Sequence, residues 1–213
     1  MACTTSRREP IFTWAEVCQY VKWFRDDSRA DWSLDCFPCT LTQFEIIASA
    51  TFCYKRQVAA LISVENSRRE ATTHKRNLLL QDVPQLNWLN RHLVESYRLG
   101  AILYINGLFN LGLDEVETKK LVSSIMALAD SLSEEPARLS LLVWPIYQAG
   151  LESRGEDGTK AMIRRHFHSI VSATGCRHGQ NALNALESYW CCDAPSPRPS
   201  IPTAALEGEL VLI

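Results

Sequence analysis

The sequence predicts an all-α fold, an irregular multi-helix bundle or helical-hairpin solenoid of about seven to eight helices. Apolar residues recur at steps of three and four in most segments between turn signals, as in Leu93, Tyr97, Ala101, Tyr104 and Leu108. Such spacing places them on one face of a helix. Capping signals precede several of these segments, and no segment shows the alternation typical of a strand. With 46% apolar and 22% charged residues, the composition is that of a folded globular domain.

The N-terminal part of the chain predicts two helices. Ala15–Arg25 carries apolar residues at helical spacing and forms the first. Thr42 and Glu45 have the capping-box pattern, a hydroxyl followed three residues later by a carboxylate. We therefore expect the apolar run Ile46–Val64 to form a second, mostly buried helix that begins at this box.

A polar and basic segment follows at Asn66–Arg76, with Arg68, Arg69, Lys75 and Arg76 among few apolar residues. Its composition favours a solvated helix face or loop. The alternative is a nuclear-import or phosphate-contacting patch, because clustered lysine and arginine side chains serve both purposes.

The C-terminal part predicts further helices, each with a recognisable start or end. Gly112 ends the helix over Asn90–Asn110, and the acidic run Asp114–Glu117 caps the next helix. Pro136 suits the first turn of another helix, which the polar residues after Gly150 end. The remaining expected elements are a helix at Lys160–Thr174, a left-handed cap at Gly175 and a last helix at Gln180–Cys191.

Trp144 and Pro145 are the least ordinary local feature of the helical pattern. Pro145 lacks the N–H that would bond the Leu141 carbonyl, so the helix is expected to kink there. A kink among aromatic residues can open an apolar cavity, and we predict an effector pocket formed by Trp144, Pro145, Tyr147 and Tyr104 for a small lipophilic molecule. The same residues are equally able to pack solidly.

Three regions are predicted along the chain. Residues 1–10 form a disordered N-terminus and residues 11–192 the helical regulatory domain. Residues 193–213 form a proline-rich tail, in which four of the nine prolines lie, at 195, 197, 199 and 202. The N-terminus has no apolar stretch of the secretory type, and no apolar run approaches the roughly 20 residues that a bilayer needs.

The sequence contains none of the common catalytic signatures, so we expect neither an enzyme nor a cofactor. The alternative is a small helical isoprenoid-type enzyme that binds magnesium through Asp26, Asp27 and Asp31. A formal charge of −2, from 22 basic and 24 acidic residues, offers no overall cationic field for nucleic acid.

The cysteine and histidine residues give little indication of a metal site. The eight cysteines include one CxxC pair, Cys36 and Cys39, which lacks two further ligands at zinc-site spacing, and reduced thiols are expected instead. His166 and His168 are splayed by about 200° on a helix and are expected to be a surface pair, not two ligands of one metal.

The order of the C-terminal motifs resembles the fungal-specific transcription factor domain, a helical regulatory region found downstream of a binuclear zinc cluster. The residues that carry the resemblance are Tyr97–Tyr104, Val143–Glu152 with its Trp-Pro and Ala-Gly pairs, Phe167–Gly175 and Ala182–Trp190. The likeness is strong over residues 90–192 and weaker over 30–64.

The resemblance implies a nuclear transcriptional regulator or accessory regulator, often of metabolic or secondary-metabolite gene clusters. It also implies protein partners, either the transcription machinery or a full-length zinc-cluster regulator. A stand-alone interaction or effector-binding module is the alternative. The six-cysteine cluster of the family is not found in this sequence, so we expect DNA contact only through a partner or through a missing N-terminal cluster.

Overall fold

The computed structural model describes residues 13–26, 34, 37–82, 86–175 and 177–191, and within them the prediction of an all-α fold is confirmed. These residues form nine α-helices and one 3-10 turn, with no strand among them. The helices are α1 Trp14–Asp26, α2 Leu41–Val58, α3 Val64–Leu80, α4 Trp88–Phe109, α5 Glu115–Ser131, α6 Pro136–Leu139, α7 Val143–Glu152, α8 Asp157–Thr174 and α9 Arg177–Trp190, and the 3-10 turn is Ser140–Leu142.

Helix α4 lies at the centre of the bundle. It packs against α2, α3, α5 and α7, while α8 and α9 pack on each other and on α7. Thirteen of its residues are buried, more than in any other described helix. The main core therefore surrounds α4, and a small second core joins α1 to α2 through Val17, Val21 and Ala48.

The start of α2 differs from the prediction. The capping box is formed by Thr40 and Gln43, not by Thr42 and Glu45: the Gln43 N–H donates to Thr40 Oγ1 at 3.2 Å, and the Thr40 N–H donates to Gln43 Oε1 at 3.1 Å. Gln43 also donates to the Val94 carbonyl of α4, so packing on α4 favours this register over the other. Glu45 pairs instead with Arg25 of α1.

The predicted single helix over Ile46–Val64 is also divided. Helix α2 ends at Val58, and Ala60 adopts the left-handed conformation with a φ of 56°. A new helix, α3, then begins at the Ser63 cap and includes the basic segment. Of the two structures expected for that segment, the helix face is confirmed and the loop is wrong.

The other helix ends lie close to their predicted places. Gly175 is left-handed with a φ of 63° and caps α8, as expected. Asn110, with a φ of 49°, caps α4 two residues before the predicted Gly112. Among the described residues, none of the helices combines the length and apolarity that a bilayer crossing requires. The predicted disordered N-terminus and proline-rich tail lie outside the described residues.

Candidate functional site

Helices α4 and α7 cross in close contact beside the predicted effector residues. A Cβ atom added at Gly100 of α4 would lie 3.2 Å from the Pro145 Cα and 3.2 Å from Trp144 Cζ3. Both distances are shorter than an ordinary van der Waals contact. Gly100 therefore lets the backbone of α7 approach α4 at the Trp-Pro pair.

The backbone break expected at Pro145 lies one turn earlier, in the 3-10 turn Ser140–Leu142. Helix α7 begins at Val143, so Pro145 occupies its first turn, where a missing N–H removes no helical hydrogen bond. The Tyr97 hydroxyl donates to the Leu141 carbonyl at 3.1 Å. A side chain of α4 thus satisfies the acceptor that Pro145 cannot.

Aromatic side chains fill the space beside this break. The Trp144 ring stacks on Tyr97 with 5.5 Å between centroids and meets Tyr104 edge-on at 5.7 Å. Tyr104 in turn shares a hydrogen bond of 2.9 Å with Thr51 of α2. Burial raises the pKa of Tyr97 well above its ordinary value. We call Trp144, Pro145, Tyr97 and Tyr104 the crossing cluster.

Tyr147, the remaining predicted pocket residue, lies on α7 near α9. Burial raises its pKa, and the nearby Tyr189 of α9 raises it further. The structure therefore brings Trp144, Pro145 and Tyr104 together around Gly100, while Tyr147 lies towards α9. All four residues are buried.

Two buried polar atoms of α7 lack hydrogen-bond partners. Trp144 Nε1 and the Tyr147 hydroxyl are both inaccessible to solvent and unbonded. Leaving such a group unpaired costs about 1–3 kcal/mol. A polar group of a ligand would satisfy either atom, and this is the observation that favours an effector at α7.

A groove lies on another side of α4, between α3 and α5, and its volume is about 460 Å³. That volume is within the range of small-molecule sites. The sequence interpretation missed it, because the gap arises between helices that are not consecutive. The lining residues are Lys75, Leu79, Glu95, Arg98, Leu99, Ile102, Leu113, Glu117, Lys120, Leu121 and Ser124.

Three of the four residues of the predicted basic patch, Arg68, Arg69 and Arg76, are exposed on α3, and Lys75 is half-buried. Arg68 donates to the Asn110 carbonyl at 2.6 Å and so ties α3 to the end of α4. Lys75 lines the groove. The phosphate-contacting or nuclear-import role of the four residues stays a prediction.

The histidine pair of α8 is split between core and solvent. His168 is exposed as expected, but His166 is buried, with its Nε2 3.1 Å from Asp130 Oδ1, so the predicted surface pair is wrong for His166. The position between α8 and α5 explains the difference, since helical periodicity places one histidine inward when the other faces out. Burial lowers the pKa of His166.

The described residues contain no group of three histidine, cysteine or acidic side chains that could hold a metal ion. Cys39 is buried, and burial raises the pKa of its thiol to about 12. Asp26 is exposed at the end of α1. Cys36, Asp27 and Asp31 lie outside the described residues, so the predictions that involve them stay predictions.

Comparison with known proteins gives one result. No curated protein and no solved structure matches the chain. The family model of the fungal specific transcription factor domain matches residues 1–192, which include every helix described above. The chain therefore belongs to the family of the fungal specific transcription factor domain.

Proposed function

We propose that this transcriptional regulator acts in the nucleus on a metabolic, secondary-metabolite gene cluster, through protein contacts of its helical domain. Membership of the family, carried by the match over residues 1–192, makes the chain a transcriptional regulator in the general sense. The same membership favours a non-enzymatic role. The proposed partners are the transcription machinery or a full-length zinc-cluster regulator.

Charge supports protein contacts over direct DNA binding. The formal charge of the chain is −2, and of the four predicted basic residues Arg68, Arg69 and Arg76 are exposed, with Arg68 bonded to the Asn110 carbonyl. Three exposed arginines neutralise few phosphates, whereas DNA-binding affinity grows with the number neutralised. A partner would then supply the sequence specificity.

A reporter assay tests this proposal. The chain is fused to a heterologous DNA-binding domain, and we expect reporter expression to differ severalfold from that with the DNA-binding domain alone. Gly150→Val should abolish the difference, because a Cβ at this position lies 2.5 Å from Leu186 Cδ1 and disrupts the packing of α7 on α9.

Val116→Ser is the matched control, because Val116 is 76% exposed and its loss should leave the fold intact. Equal expression with and without the wild-type chain would overturn the proposal.

A second candidate function is the binding of a lipophilic effector at the crossing cluster. The unbonded Trp144 Nε1 favours it. A sterol with one hydroxyl group is expected to raise the Tm of the wild-type chain and to raise that of Trp144→Phe less, because phenylalanine keeps an aromatic ring but has no N–H to donate. Equal shifts in both proteins would exclude Trp144 as the donor.

A further inference from the structure

We propose that the groove between α3 and α5 binds a small amphipathic carboxylate, a molecule with one carboxylate group on an apolar body. The site is separate from the crossing cluster, and its binding activity does not depend on the proposed regulatory role. The apolar floor of the groove and the charges along its walls support this ligand class.

The floor of the groove is apolar and belongs to α4. Leu99 and Ile102 form it, and they are 6% and 1% exposed. Leu79 of α3 and Leu121 of α5 extend the apolar surface up the two walls. A groove of about 460 Å³ has the size of a small-molecule site, so it suits the apolar body of a small molecule.

The two charged lining residues of α4, Glu95 and Arg98, neutralise each other. Arg98 donates through Nε to Glu95 Oε2 at 2.7 Å and through a second nitrogen to Glu95 Oε1 at 2.5 Å. It also donates to the Leu78 carbonyl at 3.3 Å, near the end of α3. This two-pronged pair holds both side chains in place and removes them as competitors for a ligand charge.

The two lysines on the walls are different. Lys75 stands on α3 and Lys120 on α5, and neither has an ion-pair partner anywhere in the described part of the chain. Glu117 is the remaining acidic lining residue, and it has no such partner there either. The unpaired charges of the lining thus sum to +1, which favours an anionic head group over a neutral or cationic one.

Apolar surface and unpaired cations together define the ligand class. The apolar body would cover Leu99 and Ile102, while the carboxylate would lie between the ammonium groups of Lys75 and Lys120. A lysine ammonium binds an anion as a point charge and needs no planar geometry. Free carboxylates of metabolic origin and acidic side chains of a peptide share this chemistry, and we assign the groove to the free carboxylate.

Isothermal titration of the purified full chain tests the assignment with dodecanoate, dodecanol and dodecylammonium as probes, all below their micelle concentrations. We expect dodecanoate to bind at least about tenfold more tightly than the other two. Lys75→Ala and Lys120→Ala should each weaken dodecanoate binding about three- to tenfold, because each removes one partner of the carboxylate. Lys22→Ala, an exposed lysine of α1, is the control and should bind like wild type.

Hydrogen exchange in the presence of dodecanoate should slow at amides of α3, α4 and α5. Equal affinity for dodecanoate and dodecanol, unchanged binding in both lysine variants, or protection only at α7 would overturn the assignment. Binding of an acidic amphipathic peptide without any binding of dodecanoate would overturn it as well. None of these results bears on the reporter assay, so the two proposals fail separately.

Discussion

Helix α4 presents two very different surfaces to its neighbours. At the crossing with α7, Gly100 admits the backbone of Pro145 and the Trp144 ring, and Trp144 is buried there. Towards α3 and α5, the same helix forms the floor of an open groove with charged walls. The two surfaces differ in their side chains: a glycine allows close backbone contact at the crossing, whereas the groove is lined by Glu95, Arg98, Lys75 and Lys120.

In this chain the conspicuous sequence motif and the open groove do not coincide. Trp144 and Pro145 stand out in the sequence, yet the structure uses them to fix α7 on α4. The groove is lined by residues that look like ordinary surface positions. We therefore expect substitutions at the crossing to have the largest effects on the free energy of unfolding, and substitutions in the groove to change carboxylate binding.

The largest expected effect is that of Trp144→Ala. Trp144 is 3% exposed and contacts both Tyr97 and Tyr104. Removing its ring leaves a cavity at the crossing, and we expect the free energy of unfolding to fall by about 3–5 kcal/mol. Urea denaturation followed by circular dichroism measures this loss.

Trp88→Ala is the control for that prediction. Trp88 is 56% exposed at the start of α4, so its removal should change the free energy of unfolding by less than about 0.5 kcal/mol. A similar loss of unfolding free energy in the two variants would show that Trp144 at the crossing contributes no more to stability than an exposed tryptophan does.

Gly100→Val is expected to have the next largest effect. The added Cβ would press on the Pro145 backbone, which yields less readily than the end of a flexible side chain. We expect a loss of about 1–3 kcal/mol in the free energy of unfolding, measured by the same denaturation.

Gly107→Ala is the matched variant for this prediction, because Gly107 lies on the same helix as Gly100. A Cβ at Gly107 meets only Glu152 Oε1, at 4.0 Å. Without a clash, the better helix propensity of alanine should raise the free energy of unfolding by about 0.5–1 kcal/mol. Changes of the same sign at the two glycines would contradict the close-approach role of Gly100.

Removing the hydrogen bond from Tyr97 to the Leu141 carbonyl is expected to have a smaller effect on the free energy of unfolding. Tyr97→Phe should lower the free energy of unfolding by about 1 kcal/mol, because a partly buried acceptor loses its donor. In a Pro145→Ala background residue 145 regains an N–H that can bond Leu141, so the cost of Tyr97→Phe should shrink. A double-mutant cycle measures the coupling, expected at about 0.5–1 kcal/mol. Strictly additive losses would mean that the hydroxyl does not compensate for the proline.

The sequence was sufficient to predict most helices, because their signals are local. The apolar stripe of α4 and the left-handed glycine after α8 needed no tertiary information. The position of the capping box at the start of α2, in contrast, could be predicted only with tertiary information. Both Thr40 and Thr42 fit the pattern, and the choice depends on the bond from Gln43 to Val94, 51 residues away.

The candidate sites were harder to predict for a physical reason. Periodicity shows which face of a helix is apolar, but it does not show whether a neighbour covers that face closely. Trp144 and Tyr104, which were grouped from the sequence, are in contact, yet Gly100, which admits Trp144 and Pro145 to α4, was not identified. The groove depends on the distance between α3 and α5, and neither helix sequence indicates this distance.

The smallest predicted effect is a difference in pH dependence between the groove side of α4 and its crossing with α7. His74 lies in α3, the helix that bears one wall of the groove, and its ring shares a 3.0 Å hydrogen bond with Ser49 of α2. Burial lowers its pKa, although the neighbouring Glu70 acts in the opposite direction. The folded state thus takes up this proton at a lower pH than the unfolded state, whose histidine titrates near 6.5. The stability contribution is complete above that pH and is lost as the pH falls below it.

We expect hydrogen exchange between pH 7 and 5.5, corrected for intrinsic rates, to accelerate severalfold in α3 and to change little at the α4–α7 crossing. His74→Gln should remove the acceleration in α3, since glutamine does not titrate. The crossing cluster consists of tyrosine, tryptophan and proline side chains, and burial raises the pKa of Tyr97 further from this range. An equal acceleration in α3 and α7 would assign the pH dependence to global unfolding, and the two sides of α4 would then not differ in this respect.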